Sequence, residues 1–186
     1  MRLTMLGGPG SGKGTQGERL AQHLGVPHIA SGDLLRAQVR ARTEVGRRVS
    51  DYLDAGQLVP DEIVFDLVLP AVLAAAEESG GYVLDGFPRS VAQAIKVEKL
   101  TVDAGAQLER VVFLVVPEAE LVQRLLDRAA ASGRSDDTLE VITDRLRVFK
   151  TETTPLVDYY RACGILRTVA GNGPADQVTE EILAAL

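Results

Sequence analysis

Two textures alternate along the chain. Short runs rich in Val, Ile, Leu and Phe (RLTML, PHIA, GYVLD, RVVFLVV and ILRTV) read as strands, and longer stretches between them read as helices. Several of the short runs lack polar alternation, as expected of strands covered on both faces. The helical stretches carry start signals. Ser31 can cap a helix beginning GDLLRAQV, and Pro60 with Asp61 and Glu62 opens the next. Pro117 with Glu118 and Glu120 opens ELVQRLLDRAAA, and Pro174 with Asp176 opens the last. This alternation predicts an α/β fold with a parallel five-stranded sheet between two layers of helix.

Two regions depart from the alternation. Residues 31–60 hold helical material without a strand and carry five arginines and no lysine. Residues 131–138, ASGRSDDT, form a short polar loop between two long helices. No repeat or linker divides the chain, so 186 residues predict one core with two small excursions.

Composition narrows the function. With 46% hydrophobic and 25% charged residues the chain is of the soluble globular class. A formal net charge of −6 opposes non-specific binding to nucleic acid or to an anionic membrane. No apolar run approaches the ~20 residues of a membrane span, and no secretory pattern precedes residue 7. Cys163 is the only cysteine, which leaves no intramolecular disulfide and no cysteine cage for zinc, and a buried bystander is expected. An intracellular, cytoplasmic protein follows as the expectation.

GGPGSGK, from Gly7 to Lys13, fits G-x-x-x-x-G-K between a strand and a helix. Glycines at 10, 12 and 14 let backbone N–H groups approach phosphate oxygens closely. The helix that follows aims its positive end at the same anion, and Lys13 adds a point charge. The position after the lysine is Gly14, with Thr15 one place later as a candidate hydroxyl for magnesium. At the far end of GYVLD stands Asp85, where open α/β sheets present ligands. It has two readings: a carboxylate holding magnesium or its waters, and a buried ion-pair partner for Lys13 or an arginine.

In order and spacing, GGPGSGKGTQ, ASGDLLR and LDGFPRSVAQ together resemble the adenylate kinase family of nucleoside monophosphate kinases. GRSDDT followed by Arg145 extends the resemblance over nearly the whole chain, and the lid resembles the family's short form, without structural zinc. The resemblance implies a P-loop NTPase-like core, an AMP-binding excursion at 31–60 and a lid at 129–138. It implies reversible phosphoryl transfer from ATP to AMP, giving two ADP with Mg2+; a monomer is the default expectation. On the ATP side it implies Gly10, Ser11, Gly12, Lys13, Gly14, Thr15, Arg124, Arg128 and Gly173. For AMP it implies Ser31, Arg36, Gln57, Leu58, Val59, Gly86, Phe87, Pro88, Arg89, Gln93, Arg134 and Arg145. Catalysis would rest on Lys13, Arg89, Arg124, Arg134 and Arg145.

The residues support these roles unevenly on their own account. The phosphate of a monophosphate nucleotide is already largely ionised near neutral pH, so the chemistry calls for clustered cations and no general base. His23 and His28 lie outside the motifs and are read as structural or surface residues. Arg89 can fork onto a phosphate, and the Gln93 amide suits adenine. Ser31 is equally well explained as a helix cap, and Arg124 as the partner of Glu120 one turn earlier. Arg40 and Arg42 are read as solvated. A pyrimidine monophosphate kinase on the same fold and a nucleotide-dependent switch protein remain the competing readings, although the chain has no N-K-x-D guanine-reading motif.

Overall fold

Leu3 and Met5 on one side of the first strand and Thr4 and Leu6 on the other are all buried, so that strand is covered on both faces. The computed structural model describes residues 1–132 and 138–186. Strands β1 (Arg2–Gly7), β2 (His28–Ala30), β3 (Tyr82–Asp85), β4 (Arg110–Val115) and β5 (Leu166–Ala170) form one parallel sheet in the order β2-β3-β1-β4-β5. All five predicted strands are present, each within a residue or so of its expected ends.

Helices α1 (Lys13–Leu24) and α9 (Ala175–Ala185) cover one face, where Leu20, Val178 and Ile182 pack on Leu3, Met5, Val112 and Leu114. Helices α4 (Asp61–Ser79), α5 (Val91–Val102) and α8 (Pro155–Ala162) cover the other. There Val68 and Val72 meet Tyr82 and Leu84, while Ala94, Leu156 and Tyr160 meet Leu6 and Val111. Helices α2 (Ser31–Arg40) and α3 (Glu44–Asp54) insert Leu35 and Val49 into the cluster around α4, which makes 31–54 an outgrowth of that layer. Helices α6 (Glu118–Ser132) and α7 (Leu139–Val148) keep a small core of their own, formed by Leu121, Leu125, Ile142 and Leu146. A π-helical turn, Phe149–Thr153, joins α7 to α8. No helix among the described residues is long and apolar enough to cross a membrane.

Two expectations are corrected. Ser31 does not cap α2: it is the first helical residue, and Ala30 occupies the cap position without a side-chain bond. The cause is the sheet, which pairs Ala30 with Asp85 and leaves no loop residue between β2 and α2. Cys163 is exposed, not buried. It ends α8 immediately before Gly164, whose φ of 75° turns the chain toward β5 at the surface.

Candidate active site

The carboxyl ends of β1 and β3, neighbours in the sheet, release the two segments that build the site. From β1 the chain enters the glycine loop, where Gly10 and Gly12 have φ of 82° and 91°. At Gly10 a Cβ would also lie 2.9 Å from the Leu121 carbonyl oxygen and from Cγ of Leu125, so only glycine fits between the loop and α6. Helix α1 then starts with no side-chain cap and no acidic residue in its first turn. By contrast, Thr43, Ser90 and Thr138 cap α3, α5 and α7. Helices α2, α4, α8 and α9 also lack such a cap, so what distinguishes α1 is its position. Lys13, Gly14, Thr15 and Gln16 of its first turn line the cleft, where a helix N-terminus favours an anion.

From β3 the chain runs Asp85-Gly86-Phe87-Pro88-Arg89, with a cis bond between Phe87 and Pro88. Thr4, buried on β1, donates its hydroxyl to the Phe87 carbonyl at 2.9 Å and fixes the start of this turn. Arg89 is held from three sides. Its Nε donates to Gly86 O at 2.7 Å, its peptide N–H to Gln93 Oε1 at 2.7 Å, and its carbonyl accepts from the Thr153 hydroxyl at 2.9 Å.

Between these segments opens a cleft of about 490 Å³. Its walls include Gly10, Ser11, Gly12, Gly14, Thr15, Asp85, Gly86 and Gly173. Six cations line it (Lys13, Arg36, Arg89, Arg124, Arg128 and Arg145) against two carboxylates, Asp33 and Asp85. In a chain of net charge −6 this local excess of positive charge marks a site for polyanions. No histidine lines the cleft among the described residues. His23 is exposed and His28 packs beneath Gly17 of α1, which fits their reading as structural or surface residues.

Lys13 extends its ammonium to the carbonyls of Gly7 and Gly8, both at 2.9 Å. Burial lowers its pKa to about 8; Asp85 opposes the shift, while Arg89, Arg145 and Arg128 add to it. Burial also lowers that of Arg89, with Arg145 adding to the effect, though a guanidinium stays charged throughout. Arg36 pairs with Asp33 at 2.7 Å, and Arg124 with Glu120 at 2.5 Å, the local partner its sequence position suggested. Asp85 attracts the charges of Lys13 and Arg89 without closing a salt bridge among the described residues.

Two smaller cavities adjoin the cleft, one toward α7 and the π-helical turn and one toward α2 and α3. One, of about 80 Å³, is lined by Leu58, Pro88, Arg89 and Arg145. The other, of about 30 Å³, is lined by Ser31, Gln57, Leu58, Val59, Phe87 and Gln93. Phe87 is in the core, its ring edge-on to Phe65 at 5.1 Å between centroids, so it serves as a wall. The structure thus places every described site residue of the sequence reading on one of three cavities that share Gly86 and Arg89 in their walls. Arg134 lies outside the described residues, as does most of the polar loop.

Sequence reasoning missed Asp33, Asp61 and Thr153. Asp61 accepts from Gln93 Nε2 at 2.6 Å, and Thr153 anchors Arg89. Pairing of Asp33 with Arg36 at i,i+3 was readable in SGDLLR; the other two contacts join distant segments.

A parallel sheet with a glycine loop at its centre, and a cationic groove running from that loop to a second cavity, define a P-loop phosphotransferase of the nucleoside monophosphate kinase class. A family model described as adenylate kinase matches residues 5–165. An adenylate kinase of Nocardia farcinica is 46% identical over 186 residues, covering all of this chain and 99% of the relative. Those of Kocuria rhizophila and Phocaeicola vulgatus are 45% and 41% identical, again over all of this chain and 98% of each relative. The chain belongs to the adenylate kinase family.

Proposed function

We propose that the chain catalyses reversible transfer of the γ-phosphoryl group of ATP to AMP, giving two ADP, as a cytoplasmic monomer. One observation carries this reading: four helices and a loop each send cations into a groove with no histidine among its described residues. A phosphate acceptor needs no base, so positioning and charge supply the catalysis.

In this reading ATP takes the glycine loop, its phosphates on the N–H groups of Gly10 to Thr15. Lys13 leaves its loop carbonyls for the β/γ-phosphates. Arg124 meets the same phosphates, Arg128 stands by the phosphates or the base, and Gly173 borders the base. AMP takes the neighbouring cavities, its phosphate on Arg36 and Arg89 and its nucleoside against Ser31, Gln57, Leu58, Val59, Gly86, Phe87, Pro88 and Gln93. Arg145, which lines both the cleft and the 80 Å³ cavity, stands where the two phosphate chains meet. The 31–60 excursion and a lid at 129–138, bearing Arg134, would exclude water during transfer.

Magnesium fits the residues present. The Asp85 carboxylate lies beside the first turn of α1, 3.6 Å from where a Gly14 Cβ would be, and Thr15 lies on the same rim. A single carboxylate and a hydroxyl suit a cation that keeps its waters and shares phosphate oxygens. Bound there, it would neutralise charge on the β- and γ-phosphates.

Initial rates of ADP formation from ATP with AMP, CMP, UMP or GMP at equal concentration test the reading. AMP should be the fastest acceptor, with negligible ADP when none is present. Equal ATP consumption with and without AMP would overturn phosphotransfer, and a preference for CMP or UMP would reassign the acceptor.

A further inference from the structure

Gln93 is buried to 97%, with only 3% of its surface exposed, and its amide is held at both ends. Oε1 accepts the Arg89 peptide N–H at 2.7 Å, and Nε2 donates to Asp61 Oδ1 at 2.6 Å. The two ends of an amide are ordinarily interchangeable in shape, but these partners are not. A peptide N–H can only donate and an ionised carboxylate can only accept. Rotating the amide by half a turn would set N–H against N–H at Arg89 and oxygen against oxygen at Asp61.

The amide has one lone pair and one N–H left over. Gln93 lines the cavity with Ser31, Val59 and Phe87, where the acceptor base sits in the reading proposed above, on which this inference rests. The fixed amide offers its oxygen to an exocyclic amine and its N–H to the adjacent ring nitrogen. A 6-aminopurine has that order; a 6-oxopurine reverses it, with an oxygen outside and a ring N–H beside it.

We propose that Asp61 is a positioning residue that locks the polarity of the Gln93 amide and so makes the acceptor site reject oxo bases. The lock discriminates amino from oxo, not purine from pyrimidine, because cytosine carries the same amine-and-acceptor order as adenine. Asp61 sits at the start of α4, directly after Val59 and Pro60, so it ties the end of the 31–60 excursion to the base-reading side chain on α5.

IMP is the diagnostic probe, since it matches AMP in size and inverts only this hydrogen-bond order. Measure kcat/KM for AMP and for IMP in the unmodified enzyme, Asp61→Asn and Asp61→Ala, following fold by thermal melting. Asparagine can turn its own amide to donate to a reversed Gln93, removing one of the two repulsions. The AMP-to-IMP ratio should therefore fall by about tenfold in Asp61→Asn and by less in Asp61→Ala. KM for ATP should move by less than about twofold, a split that general loosening of the fold would not produce. Two results overturn the proposal: an unmodified enzyme that uses IMP as readily as AMP, or folded variants that keep the original ratio. An unmodified enzyme that ignores AMP instead refutes the acceptor assignment itself, and the lock with it.

Discussion

Lys13 gives the most direct quantitative test of the phosphate cradle. Its ammonium is ringed by protein and by Arg89, Arg145 and Arg128, and burial holds its pKa near 8 although Asp85 pulls the other way. Phosphates arriving on the glycine loop bring several negative charges beside the ammonium, which raises that pKa in the complex. Binding must then take up protons wherever the free enzyme has lost them. With a pKa of about 8, Lys13 is roughly three-quarters neutral at pH 8.5 and about one-tenth neutral at pH 7. ATP binding should draw in about 0.75 proton at pH 8.5 and about 0.1 at pH 7, and Kd should weaken about tenfold between pH 7 and 9. The folding term runs the opposite way. Between pH 8 and the ordinary lysine value of 10.5 the unfolded chain binds more protons than the native one, so the ligand-free protein gains stability as pH rises. That gain is at most about 3 kcal/mol and is reduced by the solvent the open cleft admits. Titration calorimetry at pH 8.5 in two buffers of different ionisation enthalpy reads the uptake, with Lys13→Met as the variant that cannot titrate. Identical heats in both buffers, or a Kd that stays level from pH 7 to 9, would refute the account.

Gly10→Ala places a side chain at φ 82° and 2.9 Å from the Leu121 carbonyl, so KM for ATP should rise at least about tenfold in steady-state kinetics, with the melting temperature also lowered. Leu125→Ala empties the centre of the α6–α7 core, where the side chain is fully buried, and should cost about 3 kcal/mol, a drop of about 6–12 °C in a thermal melt.

The parts of the site written by backbone demand were legible in the sequence. Gly10 and Gly12 take φ of 82° and 91°, a backbone demand that the glycine pattern announces, and Asp85 closes a strand whose apolar run is unmistakable. Contacts that join distant segments were not legible. Asp61 meets Gln93 across 32 residues, Thr153 meets Arg89 across 64, and Thr4 meets Phe87 across 83. Each also has an adequate local explanation: an acid at a helix start, a polar residue in a turn, a threonine in a strand. Cys163 was misread because free cysteine is among the most buried residue types, and that tendency yields where a helix ends at the surface.

That same thiol gives the molecule a single chemical handle. A maleimide dye would attach at one point, on the core at the end of α8. A second cysteine in place of the exposed Arg42, whose φ of 51° marks the bend between α2 and α3, would complete a two-colour ruler. Energy transfer between the two would read the distance of that arm from the sheet with and without nucleotide, one molecule at a time.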